Sequence, residues 1–170
     1  MIIKVNVPDR MLGEWEVKSV GEEKYLYRHQ NDASKLIAKT DEPISEDSIK
    51  FIQQAYGDVF VAGLGLGQMV KALIEKNEVE TITIIEKDVE LIELVGKYLE
   101  SVSLKVKCIH AEALTYVDRS FYDFIWFDIW EEVKAENCKQ IERLKSHYWK
   151  KAEEIFFNNE ERCRHLLLLK

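Results

Sequence analysis

The sequence predicts an α/β domain built on a parallel sheet, with an antiparallel β extension ahead of it and helices behind it. Three observations predict this. Two short, mainly apolar runs, Val59-Phe60-Val61-Ala62 and Thr81-Ile82-Thr83-Ile84-Ile85, suit strands buried on both faces. Segments of helical spacing alternate with such runs, the signature of a parallel sheet with crossover helices. A loop of alternating glycines, Gly63-Leu64-Gly65-Leu66-Gly67, joins the first run to the helix after it.

Taken in order, the first forty residues read as β. Trp15–Val20 and Lys24–Arg28 flank Gly21-Glu22-Glu23 as a hairpin. Asn31-Asp32 marks a further turn before a third strand over Lys35–Lys39. Ser45, after Pro43, is placed to cap a helix over 46–56. A strand over 59–62 leads into the glycine loop, and a helix over 68–76 follows it. The next strand, 81–85, ends at Glu86. Asp88 then caps a helix whose Val89, Ile92, Val95 and Leu99 follow helical spacing. Strands over 104–109 and 123–128 complete the sheet, and the chain reads as helical after Glu132, with a break near Asn158-Asn159. His165–Leu169 is an alternative strand. We read 1–170 as a single domain: a β extension over 1–45, a cofactor-binding α/β core over 46–132 and a helical segment over 133–170.

With 46% hydrophobic and 32% charged residues, the composition is that of an ordinary globular domain. Its 170 residues are enough to bury a core. No apolar run has transmembrane length, and no signal peptide is visible, so the expected location is cytoplasmic. Cys108, Cys138 and Cys163 are far apart and form neither a disulfide framework nor a zinc pattern. The four histidines have no metal-ligand spacing, so no metal is expected. The net charge of −7 argues against a general nucleic-acid binder. From Lys139 onward, however, eight Lys/Arg stand against five Asp/Glu. We read that segment as a solvated helix face, with contact to an acidic partner such as nucleic acid as the alternative.

The chemistry rests on four elements in sequence. Glycines at 63, 65 and 67 permit a tight turn and close approach of backbone to a ligand. Glu86 ends the next strand, at the edge where open parallel sheets bind ligands, and an acid there can accept both hydroxyls of a ribose. Ala111-Glu112-Ala113 follows the third strand, so Glu112 either faces a base edge or caps a short helix. Asp128 ends the fourth strand at the same rim, whereas Asp123 opens that strand and reads as structural. The dinucleotide fingerprint fits less well, because it wants a small residue at position 68, which is Gln.

The segments GDVFVAGLGLGQMVKALIE, ITIIEKDVELIELVGKYLE, VKCIHAEALTYV and FYDFIWFDIWEE resemble the class I S-adenosylmethionine-dependent methyltransferases. Within them they resemble the spermidine-synthase-like branch, in having Val61 rather than an acid two residues before the first glycine and a β-rich N-terminus. The resemblance implies a Rossmann-like parallel sheet, a reduced class I methyltransferase fold, with S-adenosyl-L-methionine as cofactor. Gly63, Gly65 and Gly67 would underlie the methionine portion. Glu86, with Lys87 beside it, would hold the ribose, and Glu112 and Ala113 would contact the adenine. Asp128 would lie near the sulfonium and the amino end.

Asp128 and Glu131 are the catalytic candidates. Glu131 falls where aminopropyltransferases of that branch carry a catalytic Asp, but the neighbouring hydroxyl residues and proline are missing. The full superfamily fold adds three strands after the fourth. With only 42 residues following Asp128, the sheet's open edge is expected to be covered by the C-terminal helices or by a second subunit in a homodimer. The reading is therefore a methyltransferase-like protein of unassigned acceptor. The alternatives are an aminopropyltransferase-like enzyme and a non-catalytic protein that keeps the fold.

Overall fold

The computed structural model describes residues 1–117 and 119–169. It contains two sheets. The first is an antiparallel meander of β1 (Arg10–Leu12), β2 (Trp15–Val20), β3 (Glu23–Gln30) and β4 (Ala33–Lys39), with neighbours paired in chain order. One face is buried through Trp15, Val17 and Leu26, the alternation expected of a sheet wet on its other side. The hairpin forms, with its turn at 21–22 because Glu23 already pairs with Val20 at the start of β3, and Trp15 pairs with Arg28 across it.

After α1 (Glu46–Gln54), capped by the Ser45 hydroxyl accepting from the Ser48 N–H, the chain builds the parallel sheet. It comprises β5 (Gly57–Ala62), β6 (Val79–Glu86), β7 (Val106–His110), β8 (Tyr122–Phe127) and β9 (Ala152–Phe157), in the order β7-β6-β5-β8-β9. Both faces are covered, which explains the unbroken apolar runs. Val59, Val61, Ile82, Ile84 and Trp126 point to one side, toward α2 (Gln68–Ile74) and the buried face of the antiparallel sheet. Phe60, Ala62, Ile85, Ile125 and Phe127 point to the other, toward α5 (Asn137–Tyr148). Asp123 accepts from the Asp58 N–H at 2.7 Å across the start of two strands, in keeping with its structural reading.

The helix opened by Asp88 has three parts: α3 (Val89–Leu91), a π turn over Ile92–Gly96, and α4 (Lys97–Val102). Ile92, Val95 and Leu99 are buried, but Val89 is exposed. It lies in the first turn, outside the stripe that meets the sheet.

The C-terminal third departs from the expectation of helices throughout. α5 and α6 (Glu160–Leu168) are present, but β9 lies between them and pairs in parallel with β8, Ile125 opposite Ile155. The edge of β8 is thus covered by a strand of the same chain, and His165–Leu168, the alternative strand, is helical. β9 escaped the sequence reading because its first half, Ala152-Glu153-Glu154, is polar. As an edge strand it buries only its C-terminal end, and exposed charges there discourage pairing with another chain. The chain does break at 158–159, where Asn159 adopts a left-handed conformation, φ 58°.

Candidate functional site

β5, β6, β7 and β8 end along one rim, and the loops beyond them enclose a crevice of about 580 Å³, a size suited to small-molecule ligands. The glycine loop, Glu86, Lys87, Glu112, Ala113, Asp128 and Glu131 all line it. The tertiary fold therefore brings together residues spread over about seventy positions of sequence.

The glycine loop departs from the end of β5 under tight constraint. Gly63 has φ 94°, and a side chain there would begin 2.1 Å from the Asp128 carbonyl oxygen. Only glycine lets the loop and the segment after β8 meet backbone to backbone. Gly65, φ 50°, has nothing within 4 Å of where its side chain would begin, so a ligand entering the crevice meets bare backbone.

Glu86 closes β6 almost wholly buried. One carboxylate oxygen accepts from the Leu64 N–H at 3.1 Å and the other from the Asp88 N–H at 2.9 Å. Burial pushes its carboxyl above the ordinary value, against the opposing pull of the backbone N–H groups. The carboxylate thus ties the glycine loop to the turn after β6. An ionised carboxylate has about four acceptor sites, so it retains capacity for ligand hydroxyls.

Asp128, just past β8, is exposed on the crevice wall, with protein groups crowded close around its carboxyl. Desolvation by those groups raises its carboxyl, offset in part by the Asn158 amide, which donates to Oδ1 at 3.0 Å. Asn158 is itself oriented by the Ser45 hydroxyl, 2.8 Å from its Oδ1. Glu112 Oε1 accepts from the Leu114 N–H at 3.2 Å, capping the turn beside buried Ala113. Lys87 is exposed on the wall, its carbonyl 2.9 Å from His110 Nε2.

Glu131 and Glu132 are in a different state. Arg28 Nη1 donates to Glu131 Oε1 at 2.8 Å, and Lys35 Nζ to its Oε2 at 3.0 Å. Burial alone would raise the Glu131 carboxyl, but the bonds from Lys35 and Arg28 outweigh it and hold the group below its ordinary value. Glu132, bonded by Lys134 and Lys35, is held down to about 2.

Arg28 and Lys35 belong to the antiparallel sheet, which roofs the crevice. Trp15, on β2, lines the crevice and donates from Nε1 to Asp88 Oδ2 at 2.6 Å. The Arg28 guanidinium lies 5.2 Å from the Trp15 ring centroid, within cation–π range. A continuous contact path, Asp88–Trp15–Arg28–Glu131, therefore spans the crevice from the turn after β6 to the loop after β8. Sequence reading missed Trp15, Arg28, Lys35 and Asn158 as site residues. Each partner lies at least 30 positions away, beyond the reach of any local spacing rule. Among the described residues no group of His, Cys, Asp and Glu is arranged to hold a metal, and no helix is long and apolar enough to cross a membrane.

No protein-family model and no curated protein sequence matches the chain. Solved structures do. An N-methyltransferase, NodS from Bradyrhizobium japonicum WM9, superposes with a TM-score of 0.50 at 14% identity, over 69% of this chain and 68% of that one. TrmK of M. capricolum, in complex with S-adenosylhomocysteine, gives 0.53 at 9% identity, over 68% of this chain and 52% of that one. The DhpI–SAM–HEP complex gives 0.51 at 13% identity, over 70% and 56%. The chain thus spans little more than half the length of the latter two. It has the Rossmann-like α/β fold shared by S-adenosylmethionine-dependent methyltransferases, with a four-stranded antiparallel sheet before it.

Proposed function

We propose that the chain is an S-adenosylmethionine-dependent methyltransferase whose cofactor lies in the crevice at the rim of the parallel sheet. The observation that carries this is the meeting of the bare glycine backbone, Glu86 and Asp128 around one space of about 580 Å³. In this reading Gly63, Gly65 and Gly67 underlie the methionine portion. Glu86 accepts the ribose hydroxyls, with Lys87 beside it, and Glu112 and Ala113 border the adenine. Asp128, without a cationic partner among the described residues, receives the positively charged amino end. Two structures of similar fold hold S-adenosylhomocysteine or SAM, and the resemblance of the four sequence segments points the same way.

The bound cofactor supplies an electrophilic methyl group. This chain's part is to hold, align and enclose, because attack on a methyl carbon depends on alignment more than on a strong base. With the cofactor bound, the Trp15 roof and the loop after β8 would shield the reacting groups from water. Asp128 is also the candidate to take up a proton from an acceptor, although the positively charged amino end beside it would draw its carboxyl back toward the ordinary range. Glu131 is a positioning residue: Arg28 and Lys35 occupy its two oxygens and fix the loop that carries the acceptor wall. An aminopropyl-transfer mechanism would need that carboxylate free to accept an amine proton.

Calorimetric titration with S-adenosylmethionine and S-adenosylhomocysteine tests the reading. Saturable binding of both, weakened by Glu86→Ala, supports it; no heat from either overturns it. Binding without methyl transfer across a broad acceptor screen would convert the reading to a non-catalytic cofactor-binding protein.

A further inference from the structure

The outer face of α5 carries a second surface that the crevice chemistry does not use. Ile141, Leu144 and Tyr148 bury the inner face against the parallel sheet. Lys139 and Arg143, one helical turn apart, stand opposite them in solvent, with Ser146 and His147 a turn further on. Beyond the helix end Trp149 is 65% exposed, and the Lys150 ammonium lies 4.6 Å from its ring centroid.

Two features separate this face from an ordinary solvated one. The first is charge that its surroundings leave uncompensated. Lys145 is paired with Glu160, and Arg164 with Glu142 and Glu160. Among the described residues, Lys139, Arg143 and Lys150 have no carboxylate within ion-pairing distance. The two helix acids beside the stripe are Glu142, which Arg164 holds, and Glu136, exposed in the turn before α5. The second is the exposed indole. Such an aromatic face beside cations can serve as a stacking platform for a base.

The stripe also has a direction. Asn137 and Gln140, in the first turn of α5, line the crevice, and the 12-residue helix runs away from it for about 18 Å. The cations therefore lead from the crevice mouth to the indole.

We propose that the outer face of α5 binds a single-stranded nucleic acid, its phosphates on Lys139, Arg143 and Lys150 and a base on Trp149. That such a strand also presents the methyl-accepting nucleotide to the crevice rests on the cofactor reading above. The chain's overall negative charge confines the polyanion to this face. An acidic protein segment satisfies the cations but makes no use of the indole, which decides for the nucleic acid.

Fluorescence anisotropy of a labelled oligouridine of about 12 nucleotides, with the full chain and no cofactor, tests the surface. The wild type is expected to bind, with affinity falling steeply between about 50 and 200 mM salt. Lys139→Ala/Arg143→Ala is expected to lower affinity at least tenfold. It should also flatten the log–log salt slope by about 1.4, the share of two phosphate contacts on a single strand. Trp149→Ala is expected to lose about tenfold with its salt slope unchanged. All these positions are exposed, and S-adenosylhomocysteine titration of the same variants reports separately on the crevice. Cofactor binding without oligonucleotide binding overturns the surface and spares the cofactor reading. Oligonucleotide binding without cofactor binding upholds the surface and sinks the crevice assignment. Equal affinity for a polyglutamate peptide, indifferent to Trp149→Ala, also overturns the proposal.

Discussion

Four of the carboxylates along the crevice, Glu86, Asp128, Glu131 and Glu132, fall into two pairs that the two sheets treat in opposite ways. Glu86 and Asp128, on the rim of the parallel sheet, have amide but no cationic partners among the described residues, and desolvation by the surrounding protein raises both carboxyls. Glu131 and Glu132, a few residues beyond β8, are held down, Glu131 by Lys35 and Arg28 from the antiparallel sheet and Glu132 by Lys134 of its own loop together with Lys35. The first pair keeps unspent capacity for a ligand; the second fastens roof to loop. Residue type and nearness to the rim do not distinguish the pairs. The presence of a cation from the other sheet does.

Substitutions can break that contrast. The largest effect is expected at the contact beneath it. Gly63→Ala introduces a side-chain carbon 2.1 Å from a backbone oxygen at φ 94°, so unfolding in urea should show a loss of roughly 3 kcal/mol or more. Next comes Glu86→Ala, which removes a largely buried acceptor. It is expected to weaken S-adenosylhomocysteine binding by about 1–3 kcal/mol. Unchanged affinity would take Glu86 out of the site and erase the distinction between spent and unspent acids.

Arg28→Ala removes the guanidinium shared by Glu131, Glu14 and the Trp15 ring. Thermal unfolding should show a loss of about 1 kcal/mol, since the group is partly exposed and its ion pairs are screened. The Glu131 carboxyl should rise toward its ordinary range, which carboxylate NMR titration can follow.

The smallest effect is one of sign. A carboxyl raised in the folded state makes the native protein bind more protons than the unfolded chain. Its stability contribution therefore falls as pH climbs from the unfolded value through the folded one. Asp128→Asn abolishes that fall while Asn158 can still donate to the new amide oxygen. The variant should match the wild type near pH 4 and melt at a higher temperature near pH 8. With water reaching the crevice, the gain should stay below about 1 kcal/mol. A lower melting temperature at pH 8 would mean that the ionised Asp128 is compensated after all.

Much of this architecture was legible in the residues. The double-sided apolar runs gave the buried strands β5 and β6, and Ser45 and Asp88 gave the helix starts. The alternating glycines, together with acids at successive strand ends, gave the rim. Such signals are local: a period, a cap or a turn is written within a few neighbouring positions. The fifth strand was not legible, because an edge strand that fully buries only Phe157, with Ile155 and Phe156 half-buried, has no alternation to announce it.

What the sequence by itself determined, then, was the order of the elements and the set of side chains delivered to the rim. The tertiary structure alone decided which of those side chains stayed uncompensated. Trp15 reaches Asp88, Arg28 reaches Glu131 and Asn158 reaches Asp128 across 73, 103 and 30 positions. The electrostatic state of a carboxylate depends on what lies within a few ångströms of it, and chain order does not specify that neighbourhood until the sheets have closed on one another.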